Sequence, residues 1–124
     1  MNGRNPLRVL LVEDDEDSRE AFRRLLTARR YEVHTAEDCR SALDVAARQP
    51  IDLLVSDIDL PDGNGCGIMD AVRRMYRVPG IAVTGYGTAD VRARCTAAGF
   101  VAVLTKPVLF ETLVEAVNAA ITPG

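Results

Sequence analysis

Leu53-Leu54-Val55-Ser56-Asp57 is a short run, apolar on both faces, that stops at an acid. A run of this kind reads as a buried parallel strand delivering a carboxylate at its carboxyl end. The same form recurs in both directions along the chain. Val9-Leu10-Leu11-Val12 stops at Glu13-Asp14-Asp15, Ile81-Ala82-Val83 at Thr84-Gly85, and Val101-Ala102-Val103-Leu104 at Thr105-Lys106-Pro107. Glu32-Val33-His34-Thr35 is weaker and alternates polar with apolar, as a strand nearer the sheet edge does.

Between these runs lie segments of helical spacing: Phe22, Leu25 and Leu26; Ala42, Val45 and Ala46; Ile68, Val72 and Met75; Val91, Cys95 and Ala98. The clearest stripe is Phe110, Leu113, Val114, Val117 and Ile121. Asp17, with Glu20 three residues later, and Thr88 are candidate helix N-caps, and Gly99 closes the fourth helix. Repeated β-α units with right-handed crossovers predict an α/β fold, a flavodoxin-like doubly wound five-stranded parallel sheet in strand order 2-1-3-4-5 with five helices.

A chain of 124 residues that is 48% hydrophobic can bury one core, so residues 1–124 are expected to form one domain with its core at about 7–121. No low-complexity linker interrupts it, and any output module is expected in another chain or elsewhere in a longer parent protein. A net charge of -3 with both signs interspersed argues against direct nucleic-acid binding. No apolar run approaches the roughly 20 residues of a membrane span, and Met1 to Pro6 is polar, so a cytoplasmic location is expected. Cys39, Cys66 and Cys95 form no C-x-x-C pair and read as reduced, structural thiols rather than a zinc site or disulfide framework. His34, the only histidine, reads as a strand residue and not as a ligand.

In such a sheet, ligands bind at the carboxyl ends of the strands beside the topological switch point. Glu13, Asp14 and Asp15 from the first strand, Asp57 from the third, Thr84 from the fourth and Lys106 from the fifth would meet there. Carboxylates about 5 Å apart at an effective dielectric of about 20 repel by roughly 3 kcal/mol per pair, which a divalent cation relieves. Hard oxygen donors with room for water suit Mg²⁺. Glu13-Asp14-Asp15 alone reads equally as solvated turn residues, but Lys106 adds weight. The chain has fourteen arginines and this single lysine. A position that departs from the prevailing arginine suits a compact ammonium able to reach a carboxylate and then a phosphoryl oxygen.

Leu11-Val12-Glu13-Asp14-Asp15, Val55-Ser56-Asp57-Ile58-Asp59-Leu60-Pro61 with Gly65, Val83-Thr84-Gly85 and Thr105-Lys106-Pro107, in this order and each closing a predicted strand, together resemble the response-regulator receiver family of two-component signalling. The resemblance spans about Leu7 to Ile121. It implies that Asp57 accepts a phosphoryl group from a histidine kinase or a histidine phosphotransfer protein, with slow autodephosphorylation and without turnover catalysis. It also implies that Asp14, Asp57 and the Asp59 backbone carbonyl hold Mg²⁺ or Mn²⁺, with Glu13 acting through a metal-bound water. Lys106 would pair with Asp57 and then with the phosphoryl group, the Lys106-Pro107 bond would be cis, and Thr84 would turn its hydroxyl to the phosphoryl oxygen, with Gly85 leaving room. Pro61 and Gly65 would shape the loop after Asp57, and Asp59 and Tyr86 would tune phosphoryl lifetime. A downstream partner would read the surface of the fourth helix, fifth strand and fifth helix. An in-line transfer onto an ionised carboxylate needs positioning and cationic stabilisation, with no separate general base.

Two positions depart from the family pattern. Val103 stands where many receivers carry an aromatic switch residue, and Cys39 stands where relatives often have glycine. The first predicts a muted conformational response and a role as phosphoryl relay or sink at least as much as an output switch; the second suggests a local change of turn. Gly80 to Gly87 and Leu104 to Val108 resemble the receivers of hybrid histidine kinases. The Asp57-Ile58-Asp59 triplet also matches the nucleophile strand of haloacid-dehalogenase phosphatases, but there the metal acids come last, whereas here they precede Asp57. Gly63-Asn64-Gly65-Cys66-Gly67 does not fit the G-x-G-x-x-G nucleotide fingerprint and lies outside the first βα turn.

Overall fold

A computed structural model of the chain describes residues 6–122. The readings that touch Met1 to Asn5 and the final Pro123-Gly124 lie outside the described residues. Strands and helices alternate as β1 (Arg8–Val12), α1 (Glu16–Ala28), β2 (Glu32–Ala36), α2 (Cys39–Arg48), β3 (Leu53–Asp57), α3 (Gly65–Met75), β4 (Gly80–Thr84), α4 (Ala89–Ala98), β5 (Phe100–Thr105) and α5 (Phe110–Ile121). The strands pair in parallel in the order β2-β1-β3-β4-β5, as the sequence predicts. An antiparallel ladder of Asp59–Leu60 with Gly63–Asn64 folds the loop after β3, a pairing too short to be legible as a strand pattern.

The apolar runs are explained by a core on each side of the sheet. Leu10, Val12, Leu54 and Ala82 pack against Ala42 and Ala46 of α2, Ile68, Met69 and Val72 of α3, and Cys95 of α4. On the other face Val9, Leu11, Leu53, Val55, Ile81 and Val83 meet Leu26 of α1 and Leu113 and Val117 of α5. All five residues of β3 are buried. Each fully buried leucine of that central strand contributes about 1.5 to 3 kcal/mol relative to exposure, which fixes its register against its neighbours. At the edge, β2 is half-buried along most of its length, and Glu32 accepts from the Arg8 guanidinium at 3.2 Å and pairs with His34 at 2.7 Å. His34 is thus held by a neighbour on its own strand, as a residue with a local partner is.

Helix ends depart from the sequence reading in one place. The N-cap of α1 is Asp15, whose carboxylate accepts from the Ser18 amide at 2.9 Å, and not Asp17. The chain leaves β1 through Glu13, whose Oε2 accepts the Asp15 amide at 3.0 Å, and the helix begins two residues earlier than the Asp17–Glu20 capping-box spacing suggests. Asp17 lies in the first turn, where a negative charge still favours the helix dipole. Glu20 does not reach back to a cap; it binds Arg23 and Arg24. Thr88 caps α4 through the Val91 amide, and Gly99 ends that helix in the left-handed region at φ 116°, where glycine is unstrained. In α5 the stripe is buried at Leu113 and Val117, whereas Phe110 is 51% exposed and meets Phe22 edge to face at 5.9 Å.

Candidate functional site

The ladder continues one residue past three strand ends and so fixes where their side chains point. The Glu13 amide donates to the Ala36 carbonyl at 3.0 Å, Ile58 to Val83 at 2.9 Å and Lys106 to Thr84 at 2.8 Å. At these ends Glu13, Asp57 and Thr84 are buried polar residues, while Asp14 is exposed. Carboxylate oxygens of Glu13, Asp14 and Asp57 all lie within 4.8 Å of one another. Into this group reaches the Lys106 ammonium, 3.0 Å from Asp57 Oδ2 and 3.8 Å from Glu13 Oε1. The Lys106-Pro107 bond is cis, as expected.

Burial, and then the Glu13 carboxyl beside it, push the Asp57 carboxyl up to about 8 against the pull of Lys106. Partial burial works against the charge of Lys106, but Asp57, Glu13 and Asp14 outweigh it and raise its pKa. One ammonium therefore does not neutralise the three acids. Hard oxygen donors on neighbouring residues, two of them on buried side chains, fit a small divalent cation such as Mg²⁺, the ion that the receiver resemblance implies.

The loop after Asp57 is held close to its own strand. Ser56 Oγ donates to the Asp57 carbonyl at 2.8 Å, and the Gly65 amide donates to the Ile58 carbonyl at 2.9 Å. A Cβ on Gly65 would collide with the Asp57 carbonyl oxygen, so only glycine lets α3 start this near the strand end. Asp62 then accepts from the Cys39 and Arg40 amides at 2.7 and 3.0 Å, which ties the loop to the start of α2. Those backbone bonds hold the Asp62 carboxyl below its ordinary range. Cys39 thus marks an amide anchor for this loop, a contact that its sequence position did not reveal.

Thr84 and Tyr86 belong to the opposite wall. The Thr84 hydroxyl accepts from the Tyr86 amide at 3.0 Å, so it is engaged with its own loop rather than with the carboxylates. Tyr86 is 68% exposed. Gly85 faces open space, with nothing within 4 Å of a notional Cβ. Asp59 is exposed on the short ladder and stands outside the three-acid group. Val103 is half-buried against the core on the α2-α3-α4 side. Across that surface lies Arg92, which sequence reasoning missed: its guanidinium donates to the Gly87 carbonyl at 3.1 Å, the Thr105 hydroxyl at 3.4 Å and the Val103 carbonyl at 3.5 Å.

The pattern that defines the response regulator receiver domain matches residues 9–118. The chain belongs to that family. This receiver domain is 31% identical over 115 residues to Response regulator protein PilR of Pseudomonas aeruginosa, covering 92% of this chain and 26% of that protein. It is 29% identical over 106 residues to Sensor histidine kinase RcsC of Salmonella typhimurium, covering 85% of this chain and 11% of that one. The chain therefore spans a small part of both relatives. Among solved structures, chemotaxis protein CheY4 of Vibrio cholerae superposes with a TM-score of 0.89 at 29% identity over 94% of this chain and 99% of that one. The receiver fold and its place in two-component signalling follow. No helix among the described residues is long and apolar enough to cross a membrane.

Proposed function

We propose that this receiver domain takes a phosphoryl group onto Asp57 from the phosphohistidine of a histidine kinase or a histidine phosphotransfer protein. The observation that carries the reading is the Lys106 ammonium 3.0 Å from Asp57 inside a group of three carboxylates. A carboxylate oxygen of Asp57 attacks phosphorus in line, the phosphorus–nitrogen bond breaks, and its electron pair stays with the departing imidazole. Lys106 offsets the charge on the phosphoryl oxygens during transfer and afterwards. Asp14, Asp57 and the Asp59 carbonyl would hold Mg²⁺ or Mn²⁺, with Glu13 acting through a bound water; bound there, the cation supplies positive charge that keeps Asp57 ionised and draws in phosphoryl oxygens. The Thr84 hydroxyl accepts from the Tyr86 amide and keeps its own proton to donate, so binding the phosphoryl group turns that hydroxyl toward Asp57 and links acceptance to the placement of residues 85–88.

Residues 1–124 are read as one cytoplasmic receiver domain, core about 7–121, whose output passes through the surface of α4, β5 and α5. It is no turnover enzyme by itself, and the aspartyl phosphate decays slowly by hydrolysis, with Asp59 and Tyr86 setting the pace. The resemblance to PilR and to RcsC at comparable identity fits either a regulator or the receiver of a hybrid kinase as the parent protein. Incubation with acetyl phosphate and Mg²⁺ tests the reading: a single equivalent of base-labile phosphate supports it, and steady release of many equivalents supports a phosphatase instead.

A further inference from the structure

Two of the three cysteines, distant in sequence, are brought by α3 and α4 to one cavity. That cavity, about 400 Å³, opens beside the ends of β3 and β4, where Ile58, Asp59, Thr84 and Tyr86 line it together with Cys66 and Cys95. Cys95 is wholly buried in the core, and Cys66, in the first turn of α3, is half-buried and packs against the same apolar cluster. Burial and then the neighbouring Cys66 thiol raise the Cys95 thiol to about 11. Cys39 stands apart at the start of α2, its thiol directed to the Asn64 carbonyl at 3.8 Å. Cys66 is therefore the more accessible of the two cavity cysteines.

We propose that Cys66 and Cys95 form an oxidisable dithiol that closes to an intramolecular disulfide and pins α4 to α3. With hydrogen peroxide as oxidant, the Cys66 sulfur attacks one peroxide oxygen and the oxygen–oxygen bond breaks. Cys66 becomes a sulfenic acid, and the other oxygen leaves as water. The Cys95 sulfur then attacks the Cys66 sulfur, a second water leaves, and the disulfide remains; two thiols and one peroxide give one disulfide and two waters. Cys66 acts first because the buried, high-pKa Cys95 thiol is a poor initial nucleophile. The bond would bear on signalling because Arg92 on α4 also holds the Gly87 carbonyl, so an α4 fixed to α3 keeps residues 85–88 and the Thr84 hydroxyl in the arrangement seen here. This consequence rests on the phosphoryl-acceptor reading, whereas the disulfide itself does not.

The whole chain, treated with hydrogen peroxide, unfolded and alkylated, should lose two hydrogens in intact mass and take one alkyl group, on Cys39, with a Cys66–Cys95 linked peptide after digestion. Cys39→Ser should still form the link and Cys66→Ser should not. Recovery of Cys66 as sulfinic acid with Cys95 fully alkylated, or a link through Cys39, would overturn the pair. A second measurement reads the pinning: with Mg²⁺ and beryllofluoride, amide NMR shifts of residues 85–88 should be smaller in the oxidised than in the reduced protein. Equal shifts would overturn the pinning while leaving the disulfide intact, and no shift in either form would count against the phosphoryl-acceptor reading instead.

Discussion

Lys106 Nζ and Asp57 Oδ2 stand 3.0 Å apart although 49 residues separate them in sequence, and the parallel ladder between β3, β4 and β5 sets that distance. The contact is made by a point charge at the end of a flexible stem. A planar guanidinium is wider and presents its donors in a fixed fork, so Lys106→Arg keeps the charge and loses the fit. Labelling of Lys106→Arg by acetyl phosphate should slow by roughly tenfold or more, equivalent to about 1.4 kcal/mol of lost transition-state stabilisation. A rate equal to wild type would show that charge alone is needed at this position.

The crowded carboxylates predict a dependence of stability on pH in metal-free protein. The Asp57 carboxyl is raised from its ordinary 3.8 to about 8, first by burial and then by Glu13, so between these values the folded state binds more protons than the unfolded one. Its contribution to stability is complete below about 4 and is lost as pH rises through about 8. In EDTA the melting temperature should therefore fall over this window, and Mg²⁺ should raise it more at pH 8 than at pH 5. Asp57→Asn, which is neutral without taking up a proton at this buried site, should melt several degrees higher than wild type at pH 7.5 in EDTA, about 1 to 3 kcal/mol. A variant that melts lower would mean that the Lys106 pairing outweighs the repulsion.

The cap of α1 is open to a simple comparison. Asp15→Ala should lower the urea midpoint clearly, because the Ser18 amide loses its acceptor, whereas Asp17→Ala should lower it much less. The reverse ranking would restore Asp17 as the cap.

Much of the site was legible because its residues end apolar runs. Val12-Glu13, Ser56-Asp57, Val83-Thr84 and Thr105-Lys106 each mark a strand end by a change of polarity, and the parallel order then brings those ends together. Lys106 was legible a second way, as a lone lysine among arginines. The α1 cap was not legible, since Glu13, Asp14, Asp15 and Asp17 all carry acidic side chains, and it is the extended backbone at Asp15 and its bond from the Ser18 amide that mark the cap. Relationships made across the fold left no local pattern either: Asp62 on the α2 amides, Arg92 on β5, and Cys66 and Cys95 on one cavity depend on where α2, α3 and α4 pack.

Arg92 and Val103 together predict the size of the conformational response. Without an aromatic ring at Val103, phosphorylation has less to distinguish its two states by on the α4-β5-α5 surface, and the Arg92 bonds to Gly87 and Thr105 hold the loop further. With beryllofluoride and Mg²⁺, amide shifts should be large near Asp57 and Thr84 and small through β5 and α5. Arg92→Ala should enlarge those of residues 85–88. Extensive rearrangement through Val103 and α5 in the wild type would refute this.

Intact-mass spectrometry after incubation with acetyl phosphate and Mg²⁺ tests the acceptor assignment most directly. The wild-type chain should gain one phosphoryl group, mapped to Asp57 after borohydride trapping, and both Asp57→Asn and wild type in EDTA should gain none. Equal labelling of Asp57→Asn, or a phosphoryl group mapped to another residue of the folded wild type, would contradict the account.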